Sequence, residues 1–303
     1  MSSFGATCMI GLLRLVQRKR VYASAAAVEG GIRQTRAAGP ARPGKRHMSQ
    51  LVVVKEEFAS RAVYRIRPEA YEPAAKVIYL HGGAYIRPIT SFHWDFICEL
   101  AREIGCEFVV PLYPLAPESQ GLQALEFAAA LYAAEHSDST PMFVMGDSAG
   151  AGLALSLAMT VRDSGTAACT RLFLITPFVD AEVTSALARD IEPADPMLAI
   201  EGVRAAGRLY AGPLPTCHPA ISPARGDLAA LPPMSVYVAG RDILGPDALS
   251  FVQSARAAGC DVDLHVEPEM VHAWPLFRFK EARKTRGQIV RAVQRLLKGA
   301  SPP

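Results

Sequence analysis

Pro141-Met142-Phe143-Val144-Met145-Gly146-Asp147-Ser148-Ala149-Gly150-Ala151-Gly152 is the stretch on which the reading of this 303-residue chain turns. Met142 to Met145 is a short apolar run of the kind that forms a buried strand, and the alanine- and leucine-rich residues 151–159 read as a helix. Between them Gly146-Asp147-Ser148-Ala149-Gly150 fits Gly-x-Ser-x-Gly, a sharp strand-to-helix turn that lifts a serine hydroxyl clear of the backbone. Backbone at such an apex is strained and crowded, so the positions two residues to either side carry no side chain. The pentapeptide alone says little, because Gly, Ser and Ala are common. The strand before it and the helix after it give it weight. Ser148 is therefore the candidate nucleophile.

Outward from this turn, strand-like runs recur at 51–55, 62–67, 77–80, 108–112, 142–145, 172–176, 235–239 and 262–266. From about residue 76 onward, helical patterns separate most of them, at 92–103, 122–135, 151–162, 248–258 and 280–298. The alternation predicts an α/β protein with a mostly parallel eight-stranded sheet and helices on both faces. Between the runs at 172–176 and 235–239 lies a longer excursion with Asp195-Pro196-Met197-Leu198, a helical stretch 199–210 and a Pro-rich exit. Its length predicts a helical cap at about 178–217. Residues 1–50 read as a basic helical segment that joins the cap and ends in a linker, leaving 51–303 as the main domain.

A serine hydroxyl is a poor nucleophile until a base takes its proton, and the base needs a carboxylate to orient it. Downstream of Ser148, the run 235–239 leads into Gly240-Arg241-Asp242-Ile243-Leu244, which puts Asp242 at the carboxyl end of a strand. After the next strand, Val271-His272-Ala273-Trp274 opens the final helical region. The order Ser148, Asp242, His272 is the one expected for such a turn in a parallel sheet. The other six histidines lie mid-strand, at helix ends, in the linker or in another element, and Asp195 and Asp247 are the alternative acids. The reaction also needs amides aimed at a developing oxyanion. The run 77–80 leads directly into His81-Gly82-Gly83-Ala84-Tyr85, so Gly82 and Gly83, with the amide of Ala149, are the expected donors. His81 is expected to anchor that loop.

Taken together, His81–Tyr85 (H-G-G-A-Y), Tyr113–Glu118 (Y-P-L-A-P-E), G-D-S-A-G, Ser222–Leu228 (S-P-A-R-G-D-L), Asp242–Leu244 (D-I-L) and His272–Trp274 (H-A-W) resemble the bacterial, GDSAG-type branch of the hormone-sensitive-lipase family of α/β-hydrolases. The resemblance covers roughly residues 76–280. It implies an α/β-hydrolase fold with a helical cap and a carboxylesterase that works through an acyl-enzyme intermediate. It further implies Ser148, Asp242 and His272 as the triad, and no cofactor. Two positions depart from the family pattern. Ala84 stands where the oxyanion loop commonly has a third glycine, and Pro114 stands where arginine is usual, which leaves Glu118 without an assigned role.

Composition sets the remaining bounds. Half of the residues are hydrophobic and 20% are charged, ample for one large core. The six cysteines (Cys8, Cys98, Cys106, Cys169, Cys217 and Cys260) form no C-x-x-C pair and read as free thiols, with no metal site. No apolar run approaches the ~20 residues of a membrane span. In the N-terminal segment the charges follow the apolar run, the reverse of a secretory signal, so a cytoplasmic location is expected.

Residues 1–50 carry nine Lys or Arg against Glu29 alone, and 278–303 carry eight against Glu281 alone. Solvated basic helix faces account for this. Weak peripheral contact with anionic membranes through 11–28 stays open, as does a homodimer, and no nucleic-acid motif accompanies the charge. Tyr85, Trp94, Phe178 and Leu198 are the candidate lining of an apolar pocket that favours uncharged short- to medium-chain esters. Two alternatives stand beside the esterase: a deacetylase of one acetylated natural product or sterol, and a non-catalytic binding module, against which His272 speaks.

Overall fold

The computed structural model describes residues 2–70, 74–137 and 139–300. Helices α1 (Phe4–Leu15) and α2 (Ala25–Ala38) precede the antiparallel pair β1 (Leu51–Phe58) and β2 (Arg61–Pro68). Then follow β3 (Lys76–Leu80), α3 (Ser91–Ile104), β4 (Glu107–Pro111), α4 (Gly121–Glu135), β5 (Met142–Asp147), α5 (Ala149–Asp163) and β6 (Arg171–Ile175). The chain continues with α6 (Leu187–Ile191), α7 (Ile200–Ala211), β7 (Met234–Arg241), α8 (Gly245–Ala257), β8 (Val262–Val271) and α9 (Lys280–Ala300). The eight strands form one sheet in the order β1-β2-β4-β3-β5-β6-β7-β8. β2 runs antiparallel to both neighbours, and β4 through β8 pair in parallel.

The central strands are apolar throughout because both of their faces are covered. Side chains alternate across a strand, so Ile78, Leu80, Val144, Leu172, Leu174 and Val236 enter one core with α4, α5 and α8. Val77, Tyr79, Phe143, Met145, Phe173 and Tyr237 enter the opposite core with α1, α3 and α9. Strands buried in this way lose the polar–apolar alternation of a half-solvated sheet. What remains is the short continuous apolar runs that mark them in the sequence.

The insertion between β6 and β7 holds α6 and α7 above the carboxyl ends of the strands. Val203 and Ala206 of α7 are buried in the same core as Val28 and Ile32 of α2, and α2 and the 3₁₀ turn Arg18–Tyr22 pack on α7. The Arg18–Tyr22 turn and α2 thus meet α7 on one side of the sheet, while Ala6, Ile10 and Leu13 of α1 enter the opposite core. Arg36 of α2 ties this layer down. Its guanidinium donates to both carboxylate oxygens of Glu118 (2.8 and 2.9 Å) and to the carbonyls of Ile86 (2.9 Å) and Ala116 (2.8 Å). That contact gives Glu118, unassigned from the sequence, a partner on the N-terminal segment.

Candidate active site

Ser148 stands between β5 and α5 with φ 53° and ψ −119°, a region a residue with a Cβ occupies only under constraint. The constraints are visible. Its amide donates to Ile175 O (2.8 Å), and its carbonyl accepts from Phe178 N (3.0 Å). A Cβ on Gly150 would lie 1.9 Å from Leu80 O, and one on Gly146 would lie 2.5 Å from the Gly150 carbonyl carbon. The two glycines let α5 start against the end of β3, and that close approach fixes the serine at the apex.

Asp242 directly follows β7 and His272 directly follows β8, so neighbouring parallel strands deliver both to the same sheet edge. His272 Nδ1 lies 2.7 Å from Asp242 Oδ2, both side chains are buried, and Ser148 and His272 line one cavity. With Nδ1 carrying the proton toward Asp242, Nε2 is the free base. The amide of Ala273 donates to Thr176 Oγ1 (3.2 Å), which holds the His272 loop against the end of β6. Asp242 Oδ1 accepts from Leu244 N (3.0 Å).

The alternative acids sit elsewhere. Asp195 accepts from Met197 N (2.7 Å), Leu198 N (2.9 Å) and Ile243 N (3.1 Å), and Asp247 from Ser185 N (3.0 Å). Neither is bonded to a histidine. Both are protonated more easily than usual. Burial and the Asp242 charge raise the Asp195 carboxyl, while burial and Asp180 push Asp247 up to about 6. For His272, burial would lower the imidazole pKa, but the Asp242 charge and hydrogen bond, helped by Asp195 and Asp147, raise it above its ordinary value.

The oxyanion loop differs from expectation at one position. The Gly82 amide donates to Asp147 Oδ1 (2.9 Å), which also accepts from Tyr79 Oη (2.7 Å), so Gly82 is a strut of the loop and its N–H is committed. The amides of Gly83 and Ala84 donate to no described group, and both residues line the cavity with Ser148. Ala84 takes φ 53°. Its amide is free, whereas the glycine pattern had pointed to Gly82. Burial would raise the Asp147 carboxyl, but His93, Tyr79 Oη and the Gly82 amide hold it below its ordinary value. His81 anchors the loop as expected. Its ring stacks on Tyr113 (centroids 4.5 Å), its Nδ1 is 2.7 Å from Gly82 O, and burial with nearby His93 lowers its pKa to about 4.

The cavity above Ser148 has a volume of about 470 Å³, within the range of small-molecule sites. Phe178 and Leu198 line it. Two other expected lining residues do not. Tyr85 turns away to stack on Tyr210 (centroids 3.6 Å), with its hydroxyl donating to Phe178 O (3.4 Å). Trp94 lies in the opposite core, edge-on to Tyr64 and donating from Nε1 to Ala41 O (2.9 Å). Proximity in sequence to the oxyanion loop did not determine which way each ring faces. Sequence reasoning also missed Tyr22, Arg18 and Arg87, which line the cavity from the N-terminal turn and from the residues after the loop.

A family model described as the α/β-hydrolase fold matches residues 77–276. The chain is 33% identical over 217 residues to an acetyl-hydrolase of Streptomyces hygroscopicus, covering 69% of this chain and 71% of that protein. It is 28% identical over 219 residues to an esterase of Acinetobacter venetianus, covering 70% and 72%. The crystal structure of an esterase from the bacterial hormone-sensitive-lipase family superposes with a TM-score of 0.84 at 25% identity, covering 98% of this chain and 99% of that one. The chain belongs to the α/β-hydrolase family, in its bacterial hormone-sensitive-lipase branch.

Proposed function

We propose that this protein is a serine carboxylesterase working through Ser148, His272 and Asp242 on short- to medium-chain uncharged carboxylic esters. The observation that carries this reading is the 2.7 Å contact between His272 Nδ1 and buried Asp242 Oδ2, with His272 lining the cavity that holds Ser148. The family membership supports it, as do relatives named esterase and acetyl-hydrolase.

His272 Nε2 takes the proton of Ser148 Oγ as Oγ bonds to the ester carbonyl carbon, and Asp242 stabilises the imidazolium. The carbonyl oxygen becomes an oxyanion, for which the amides of Gly83, Ala84 and Ala149 are the donors. Removing one such donor from a preorganised hole typically costs about 3 kcal/mol of transition-state stabilisation. Collapse breaks the bond to the alcohol oxygen, which leaves with the proton from His272. Water then gives a proton to His272 and its oxygen to the acyl carbon. Ser148 Oγ departs with that proton, and the carboxylic acid is released.

The test is a p-nitrophenyl ester series of increasing acyl length. Activity is expected to peak between acetate and about octanoate, consistent with the cavity volume. Peak activity on long, emulsified acyl chains would overturn the chain-length assignment.

A cytoplasmic site of action, with weak contact to anionic membrane surfaces, belongs to the same reading. Among the described residues no helix is long and apolar enough to cross a membrane. Phe4 is 85% and Leu15 80% exposed on α1, beside Leu12, Val16 and the basic Arg14, a mixture suited to a headgroup layer. Co-sedimentation with anionic vesicles is expected, and loss of binding in Phe4→Ser/Leu15→Ser would assign it to α1.

A further inference from the structure

We propose that Arg18 and Arg87 form an anion subsite in the catalytic cavity, selecting esters that carry a carboxylate or phosphate group remote from the scissile bond. The proposal rests on the ester-hydrolase reading and replaces its uncharged substrate class with esters that carry one remote anion.

Both side chains line the cavity that contains Ser148. Their guanidiniums flank one ring: the carbon Cζ of Arg87 lies 5.3 Å and that of Arg18 5.9 Å from the Tyr22 centroid. Two of the Arg87 nitrogens, Nε and Nη2, are buried and have no hydrogen-bond partner. Among the described residues, neither arginine has a carboxylate within ion-pair distance. Asp147, a carboxylate that also lines the cavity, is committed to Tyr79 and Gly82 and faces His93 at 3.4 Å.

A desolvated guanidinium with idle donors is costly, and a second cation nearby adds to the cost. Burial lowers the Arg18 pKa, and Arg87 lowers it further against the opposing effect of Tyr22. A cation–π contact with one tyrosine does not offset this. An oxyanion does, because a guanidinium is shaped to donate two parallel bonds to carboxylate or phosphate.

The arrangement is built rather than loose. The Arg87 amide donates to Gly83 O (2.9 Å), so the guanidinium is carried on the turn that closes the oxyanion loop, four residues after Gly83. Its far end rests against α2 at Gly31, where a Cβ would lie 2.2 Å from Nη2. A glycine inside a helix is less favourable than alanine, and here it leaves room for the cation. A remote group that docks on the arginines would therefore fix the ester relative to the oxyanion donors.

The experiment compares matched neutral and anionic esters: p-nitrophenyl pentanoate with p-nitrophenyl hydrogen glutarate, and methyl 4-acetoxybenzoate with 4-acetoxybenzoate. A third pair is 4-methoxyphenyl acetate with 4-acetoxyphenyl phosphate. The first pair carries the charge on the acyl side, the second and third on the alcohol side as carboxylate and phosphate. The readout is the anionic-to-neutral ratio of kcat/KM within each enzyme, so a general loss of folded protein does not mimic the effect.

In at least one pair the wild-type ratio is expected to exceed about 10, the scale of one or two charge-assisted hydrogen bonds. It should arise mainly in KM and shrink with added salt. Arg87→Gln, Arg18→Gln and Gly31→Ala should each bring it toward 1. Turnover of the neutral esters with no anion preference in any pair would overturn the proposal, as would a preference that survives Arg18→Gln/Arg87→Gln. Failure to turn over any of the six esters would instead bring down the esterase reading on which it rests.

Discussion

Asp195 Oδ2 accepts the amide hydrogen of Ile243 at 3.1 Å, joining the loop ahead of α7 to the residue next to Asp242. The same carboxylate caps Met197 and Leu198 through its other oxygen. The cap and the acid's loop therefore share one buried anchor. These bonds place Asp195 to position the Asp242 loop, and Asp195 also contributes to raising the His272 pKa. Asp195→Asn is expected to lower kcat about tenfold with little change in KM, on the scale of one lost charge-assisted hydrogen bond. It should also move the acid limb of the pH profile downward. A unit change in the limb's position without loss of kcat would show that the anchor is not used.

The His272 shift fixes the direction of the wild-type pH profile. The neutral imidazole is the base, so kcat/KM rises with pH through the free-enzyme pKa, which lies above the ordinary 6.5. The folded protein favours protonated His272, so its contribution to stability is full below pH 6.5 and is lost as pH rises through the raised value. A kcat/KM profile whose acid limb lies at or below 6.5 would contradict the burial-plus-Asp242 account.

Gly150→Ala tests why the turn is built as it is. A methyl there meets Leu80 O at 1.9 Å and Leu80 C at 2.4 Å, both backbone atoms that cannot rotate away. A loss of more than about 3 kcal/mol is expected, read as a shifted denaturant midpoint or as failure to recover soluble protein. Near-wild-type stability with full activity would mean that α5 can start elsewhere.

Arg36→Ala removes four donations, to Glu118, Ile86 and Ala116, from a guanidinium that is partly buried. A destabilisation of about 1–2 kcal/mol is expected. Limited proteolysis should then cut within residues 1–40 before the sheet, since α2 is held to the main domain at this point. Unchanged cleavage kinetics would show that packing on α7 suffices.

Much of this fold is legible in the sequence, and the exceptions share causes. The central strands appear as bare apolar runs because both faces are covered. The edge strands β1 and β8 run further than their apolar runs suggest, through Lys55-Glu56-Glu57 and Glu267-Pro268-Glu269. Edges carry charge and proline because one face or one row of amides meets water. Chain order pointed to Asp242 and His272, and the two side chains meet at 2.7 Å because neighbouring parallel strands open at the same end. Side-chain direction on a tight loop has no such period. Gly82 and Ala84 differ only in which amide Asp147 has taken, and Tyr85 and Trp94 face away from the cavity for reasons of packing. Arg18 and Arg87, 69 positions apart, meet only because the N-terminal turn folds over the cap.

The central claim is that Ser148 is the nucleophile. Fluorophosphonate labelling of the wild type and of Ser148→Ala, read by mass spectrometry of the intact and digested protein, tests it most directly. The account expects one adduct, on the peptide containing Gly146–Gly150, and none in the variant. An adduct that survives Ser148→Ala, or one mapped to another residue, would contradict it.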